Sequence, residues 1–147
     1  MRRVKDCVRT HSVLDHKGCS GRVTIIGGSP VYTGAPYFAG MAALRMGADL
    51  VKIICHGDAA IPIKSYSPEL MVEPILSEHA KKEDFHDSLK NQHCVVVGPG
   101  LGRNQNIQKL CCQLIRHCCD DLKIPVVVDG VFIDIEKGRD ISSRRFE

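Results

Sequence analysis

Gly27-Gly28-Ser29 and Gly98-Pro99-Gly100-Leu101-Gly102 are the residues whose types and spacing point to chemistry. Glycine reaches positive φ and lets a ligand approach the backbone closely. Each cluster follows an apolar run and precedes a helical pattern. Backbone N–H groups at such a helix start favour phosphate and other anions. Neither cluster is a Walker loop, because no GK[ST] follows. The second reads GxGxG, which does not satisfy the dinucleotide fingerprint GxGxxG. Taken alone, the glycines are equally compatible with tight strand-to-helix turns.

Other reactive side chains offer less. The eight cysteines are Cys7, Cys19, Cys55, Cys94, Cys111, Cys112, Cys118 and Cys119, and no CxxC occurs among them. A parallel α/β pattern without a secretory signal implies reduced thiols. Cys111 and Cys118 fall on the apolar face of a helix, and Cys55 and Cys94 sit in or beside strands, as small hydrophobes. Cys112 and Cys119 are seven apart, but two thiolates do not complete a tetrahedral zinc site. The seven histidines show no HxH or HExxH spacing. No serine occupies a GxSxG elbow, so a Ser-His-Asp hydrolase is unsupported.

The elements that position the glycines alternate in type. Arg22–Ile26 is a short β-branched run that reads as a buried strand. Thr33-Gly34-Ala35-Pro36 opens a helix, with Thr or Gly as its cap, and Gly47 stops it. Leu50–Cys55 is the next strand, giving a right-handed βαβ unit. Glu69–Leu76 is a third strand that Pro74 confines to an edge or an early end. Residues 80–90 are polar and helical in pattern. After the Cys94–Val97 strand, Ile107, Leu110, Cys111, Leu114, Ile115 and Cys118 recur at offsets 0, 3, 4, 7, 8 and 11. That is one apolar helix face. Pro125–Val128 is the last strand. The fold class is α/β: a parallel sheet with helices on both faces, which puts both glycine clusters at its carboxyl edge.

Composition sets outer limits. The chain has 147 residues, enough for one domain with a real core, and is 44% hydrophobic and 25% charged. No apolar run reaches membrane-span length, and the first residues lack a secretory apolar stretch. The net charge of +3 is mild and mixed. Arg2, Arg3, Arg9, Arg139, Arg144 and Arg145 read as solvated surface, and nothing recommends nucleic acid. The start MRRVKDCVRT carries Asp6 and lacks an amphipathic pattern, so the expected location is cytoplasmic, with the mitochondrion as the alternative.

Larger motifs carry a resemblance. They are His16-Lys17-Gly18 leading to Gly21-Arg22, Gly27-Gly28-Ser29, Tyr32-Thr33-Gly34-Ala35-Pro36-Tyr37-Phe38-Ala39, Ala43-Leu44 and Gly47-Ala48-Asp49-Leu50. Ile63-Lys64-Ser65-Tyr66-Ser67-Pro68-Glu69-Leu70 and Val96-Val97-Gly98-Pro99-Gly100-Leu101-Gly102-Arg103 complete the set. Over residues 16–129 the chain resembles the amino-terminal part of the ATP-dependent (S)-NAD(P)H-hydrate dehydratases, of the ribokinase-like superfamily. The resemblance implies ATP-dependent repair of hydrated NADH and NADPH, with ATP and Mg2+ as cofactors. It makes Gly98, Gly100 and Gly102 substrate-contact candidates, with Gly28, Ser29, Thr33 and Gly34 lining the same cleft. Tyr66, Ser67 and Glu69 either shape that cleft or form a rigid Ser-Pro turn.

The chain then departs from the family. Where the family continues with Asp-Ala-Asp-Gly-Leu, it reads Gly130-Val131-Phe132-Ile133-Asp134 and a charged tail. The expected organisation is a segment over 1–15, a partial ribokinase-like domain over 16–129 and a divergent tail over 130–147. By this reading the ATP-binding strands and the glycine-rich loop ending in the catalytic aspartate are missing. No catalytic residue is assigned, and Asp129 and Asp134 match no motif for that role. The alternative to an enzyme is a non-catalytic remnant that binds a nucleotide or the intact enzyme. An unpaired sheet edge is expected to promote self-association.

Overall fold

The computed structural model describes residues 16–129. The arginine-rich ends, Cys7, His11, the 1–15 segment and the 130–147 tail with Asp134 lie outside the described residues. Five strands form one parallel sheet: β1 (Arg22–Ile26), β2 (Leu50–His56), β3 (Met71–Leu76), β4 (Cys94–Val97) and β5 (Val126–Val128). Their order is β3-β2-β1-β4-β5. The chain thus steps outward from β1 to β3, then jumps back across β1 to place β4. The switch point lies between β1 and β4, where Ile25 pairs with Val96 and Ile26 with Val97.

Strand alternation sends successive side chains to opposite faces. On one face Ile26, Ile54, Val95 and Val97 meet α4 (Gln105–Arg116). Its Ile107, Leu110, Cys111, Leu114 and Ile115 are all buried, as is Cys118 beyond it, so the expected apolar helix face is borne out. Phe85 and Leu89 close the same core from a 3-10 turn (Lys82–Phe85) and the short α3 (His86–Leu89). On the other face Ile25, Val51, Ile53 and Cys55 lie under α1 (Gly34–Arg45) and α2 (Gly57–Tyr66).

Three local expectations are corrected. Tyr66 does not belong to a turn between elements: it ends α2, a helix absent from the sequence expectation and with Pro62 inside it. Burial of Ala59, Ala60 and Ile63 outweighs the backbone bond that proline removes. The third strand begins at Met71, two residues after Glu69, because the Ser67 hydroxyl accepts the Glu69 N–H at 3.2 Å and holds a turn there. The last strand begins at Val126 rather than Pro125, whose carbonyl still accepts the Val95 N–H at 3.1 Å. Pro74 does lie on an edge strand among the described residues, at the irregularity where the β2–β3 register shifts between Ile54 and His56.

Candidate functional site

The two glycine clusters meet over the carboxyl ends of β1 and β4. Gly28 N–H donates to the Pro99 carbonyl at 2.9 Å, and Gly98 N–H donates to Ile26 O at 3.0 Å. Gly27 N–H reaches across to Ile54 O at 3.0 Å, and Gly28 O accepts from His56 N–H at 3.1 Å. Ser29 and Tyr32 exchange backbone bonds at 3.1 and 3.3 Å. The seam therefore consumes the amides of Gly27, Gly28, Ser29 and Gly98. Within the second cluster Leu101 N–H returns to Gly98 O. Among the described residues, no such seam bond takes up the N–H groups of Gly100 and Gly102.

The space around each glycine explains its identity. A Cβ on Gly27 would stand 2.0 Å from the Pro99 oxygen. Gly100, at φ 63°, has Tyr32 O 2.6 Å and Pro36 Cδ 3.0 Å from its would-be Cβ. Gly102, at φ 79°, abuts the Ser29 side chain at 3.2 Å. Gly98, at φ 126°, leaves room for Asp129, whose Cβ lies 3.0 Å from the same position. Positive φ disfavours any other residue at these three sites.

Helix starts frame the seam. Asn104 caps α4, its Oδ1 accepting from Asn106 N–H at 2.9 Å and Ile107 N–H at 3.3 Å. Its Nδ2 donates to Glu78. Gln108, buried in α4, donates from Nε2 to Gly102 O at 3.3 Å. Thr33 precedes α1 but makes no side-chain cap bond. Its hydroxyl instead shares a 2.7 Å bond with the Tyr66 hydroxyl, and the Tyr66 ring meets Tyr37 edge-on at 5.2 Å. The structure thus brings Gly28, Ser29, Thr33, Gly34, Gly98, Gly100 and Gly102 to one edge, with Tyr66 at its flank. Ser67 and Glu69 serve the turn below it.

Cys55 also borders the site, with its Cβ 3.1 Å from a Cβ on Gly28. Burial pushes its thiol up to about 11, against a smaller opposite pull from Lys64, so it is packing and not a nucleophile. Sequence reasoning missed three residues here: Asn104, Glu78 and the position of Asp129 beside Gly98. Asn104 was legible, standing three residues before Ile107 as an N-cap should. Among the described residues no group of three or more His, Cys, Asp or Glu converges to hold a metal.

A family model described as NAD(P)H-hydrate dehydratase matches residues 23–145. The chain belongs to the NAD(P)H-hydrate dehydratase family. The ATP-dependent (S)-NAD(P)H-hydrate dehydratase of Drosophila melanogaster is 48% identical over 120 residues. That alignment covers 80% of this chain and 40% of the relative, so the chain spans well under half of that relative's length. Among solved structures, a ribokinase-like superfamily protein from Enterococcus faecalis matches with TM-score 0.58 and 25% identity, over 71% of this chain and 36% of that one. An ADP/ATP-dependent NAD(P)H-hydrate dehydratase from Bacillus subtilis, co-crystallised with ATP and Mg2+, matches at TM-score 0.64 and 21% identity. The superposition covers 84% of this chain and 42% of that one, and shares the fold. The ribokinase-like α/β class expected from the sequence is therefore established. No helix among the described residues is long and apolar enough to cross a membrane.

Proposed function

We propose that this protein serves the ATP-dependent dehydration of (S)-NADH hydrate and (S)-NADPH hydrate, returning NADH and NADPH. The observation that carries this reading is the glycine seam at the β1/β4 switch point in a chain of this family. Transfer of the ATP γ-phosphoryl group to the ring hydroxyl releases that hydroxyl's proton and makes a good leaving group. Loss of phosphate from one ring carbon and a proton from its neighbour restores the double bond. Net, water leaves the ring and appears in the hydrolysis of ATP to ADP and phosphate.

Residues 16–129 fit the substrate side of that reaction. The Gly100 and Gly102 amides suit an anionic group of the dinucleotide, with Gly98 shaping the turn. Gly28 and Ser29 build the floor through the seam. Thr33 and Gly34 set the wall at the start of α1, and Tyr66 buttresses Thr33. ATP and Mg2+ find no matching set among these residues: neither loop carries a lysine, and no metal-ligating group of three or more forms. A base for the hydroxyl is likewise not assigned within them.

A second reading follows from β5, which pairs on one side only among the described residues. On that reading the chain is a non-catalytic partner that binds a nucleotide or the intact enzyme through this edge. One assay separates the two. The purified 147-residue chain is given hydrated NADH, ATP and Mg2+, and the reduced-nicotinamide absorbance is followed, with circular dichroism as the folding check. Recovery of absorbance supports the enzymatic reading. A folded chain that binds the hydrate without turnover supports the second. A folded chain that neither binds nor turns over the hydrate overturns the enzymatic reading and leaves, of the second, only association with the intact enzyme.

A further inference from the structure

The geometry points to Asp129 as a ligand-orienting residue, the acceptor that takes a hydrogen-bond donor at the nicotinamide end of the substrate. This inference rests on the reading that the ligand is a nicotinamide nucleotide. Asp129 directly follows β5, and its N–H donates to Val97 O at 2.9 Å, extending the β4–β5 ladder by one residue. Its Cβ then stands 3.0 Å from where a Gly98 Cβ would be. Gly98 lacks that atom, so the aspartate packs directly against the first turn of the second glycine cluster. The residue is exposed at the edge where ligands of such sheets bind.

Two ends of the edge differ in what they can recognise. Toward β1 and α1 stand the Gly100 and Gly102 amides, next to Tyr32, Pro36 and Ser29. No acidic residue occupies the first turn of either α1 or α4. That end offers donors and suits a phosphate. Toward β5 stands Asp129, and a carboxylate accepts N–H or O–H donors. The ring carboxamide and the hydroxyl added by hydration are such donors, and the rest of the dinucleotide carries the anionic groups. The substrate therefore lies across the β1–β4–β5 edges with its phosphates toward Gly100 and Gly102 and its ring toward Asp129.

The test compares hydrated NADH with ADP-ribose, which keeps the diphosphate and lacks the ring, by calorimetric titration of the whole chain. Wild type is expected to bind hydrated NADH more tightly. Asp129→Asn and Asp129→Ala are expected to weaken hydrated NADH about tenfold, as loss of a charged hydrogen bond does. Neither should change the affinity for ADP-ribose. Asn keeps the shape and the backbone bond to Val97, so it carries the test should Ala unfold. A variant that weakens both ligands equally, or neither, overturns the orienting role while leaving the nicotinamide reading intact. A wild-type chain that binds ADP-ribose as well as hydrated NADH, or binds neither, overturns the reading beneath it.

Discussion

Gly27 faces Pro99 so closely that a Cβ on the glycine would stand 2.0 Å from the proline carbonyl oxygen and 3.0 Å from its carbon. That oxygen is also the acceptor for Gly28 N–H at 2.9 Å, so it cannot retreat without breaking the seam. Gly27→Ala must then move backbone, and overpacking of this kind costs about 2 kcal/mol. Urea denaturation of the variant should show a lower midpoint at unchanged slope. An unchanged midpoint would mean the two loops are not locked together.

Asn104 caps α4 directly after the second glycine cluster. Asn104→Ala removes two bonds to the first-turn amides, and loss of such a cap costs about 1 kcal/mol. The same change releases Glu78. Hydrogen exchange should speed up at Ile107 and at Leu101, and Asn104→Asp should restore most of the protection. Equal exchange in Asn104→Ala and wild type would show that the helix start needs no side-chain cap.

Much of this arrangement was legible before any coordinates. β4 is an unbroken apolar run, β1 and β2 are apolar apart from Arg22, Thr24, Lys52 and His56, and α4 repeats its apolar residues at helical period, so tertiary burial and local pattern agree. α1 was harder to orient. Phe38 is 70% exposed, whereas Pro36 and Gly40 are buried. The helix lies on its smallest residues, because a Cβ on Gly40 would already meet Leu70 at 3.0 Å and Val51 at 3.3 Å. Hydrophobicity alone points to the other side. α2 was invisible because Pro62 breaks the local rule, and the Thr33–Tyr66 bond was invisible because it joins residues 33 apart. Glycine clusters announce a close approach but not what approaches: here it is Pro99, Tyr32, Ser29 and Asp129.

Alkaline pH should unfold the chain through its buried thiols. Burial, the largest cause in each case, pushes Cys55 and Cys118 up to about 11 and Cys111 up to about 12, from an ordinary 9.0. Their folded values are raised, so below pH 9 both states hold the protons and the thiols leave stability untouched. Above pH 9 the unfolded chain releases protons that the folded chain must keep, and stability falls toward pH 11 or 12. Each thiol contributes a slope of up to about 1.4 kcal/mol per pH unit. Urea midpoints measured at pH 8 and pH 10 should differ, and Cys111→Ala should flatten the difference. Equal midpoints at the two pH values would contradict thiol burial as the cause.

The β5 edge should drive self-association. Val127 and Val128 are 55% and 45% exposed, and β5 pairs only with β4 among the described residues. A parallel strand with apolar side chains and unpaired backbone groups is a template for another chain. Light scattering on a size-exclusion column should therefore show mass rising with concentration. Val127→Lys places a charge on the strand without touching the core, and should shift the protein toward monomer while leaving its circular dichroism unchanged. A wild-type chain that stays monomeric at every concentration would show that this edge is already covered.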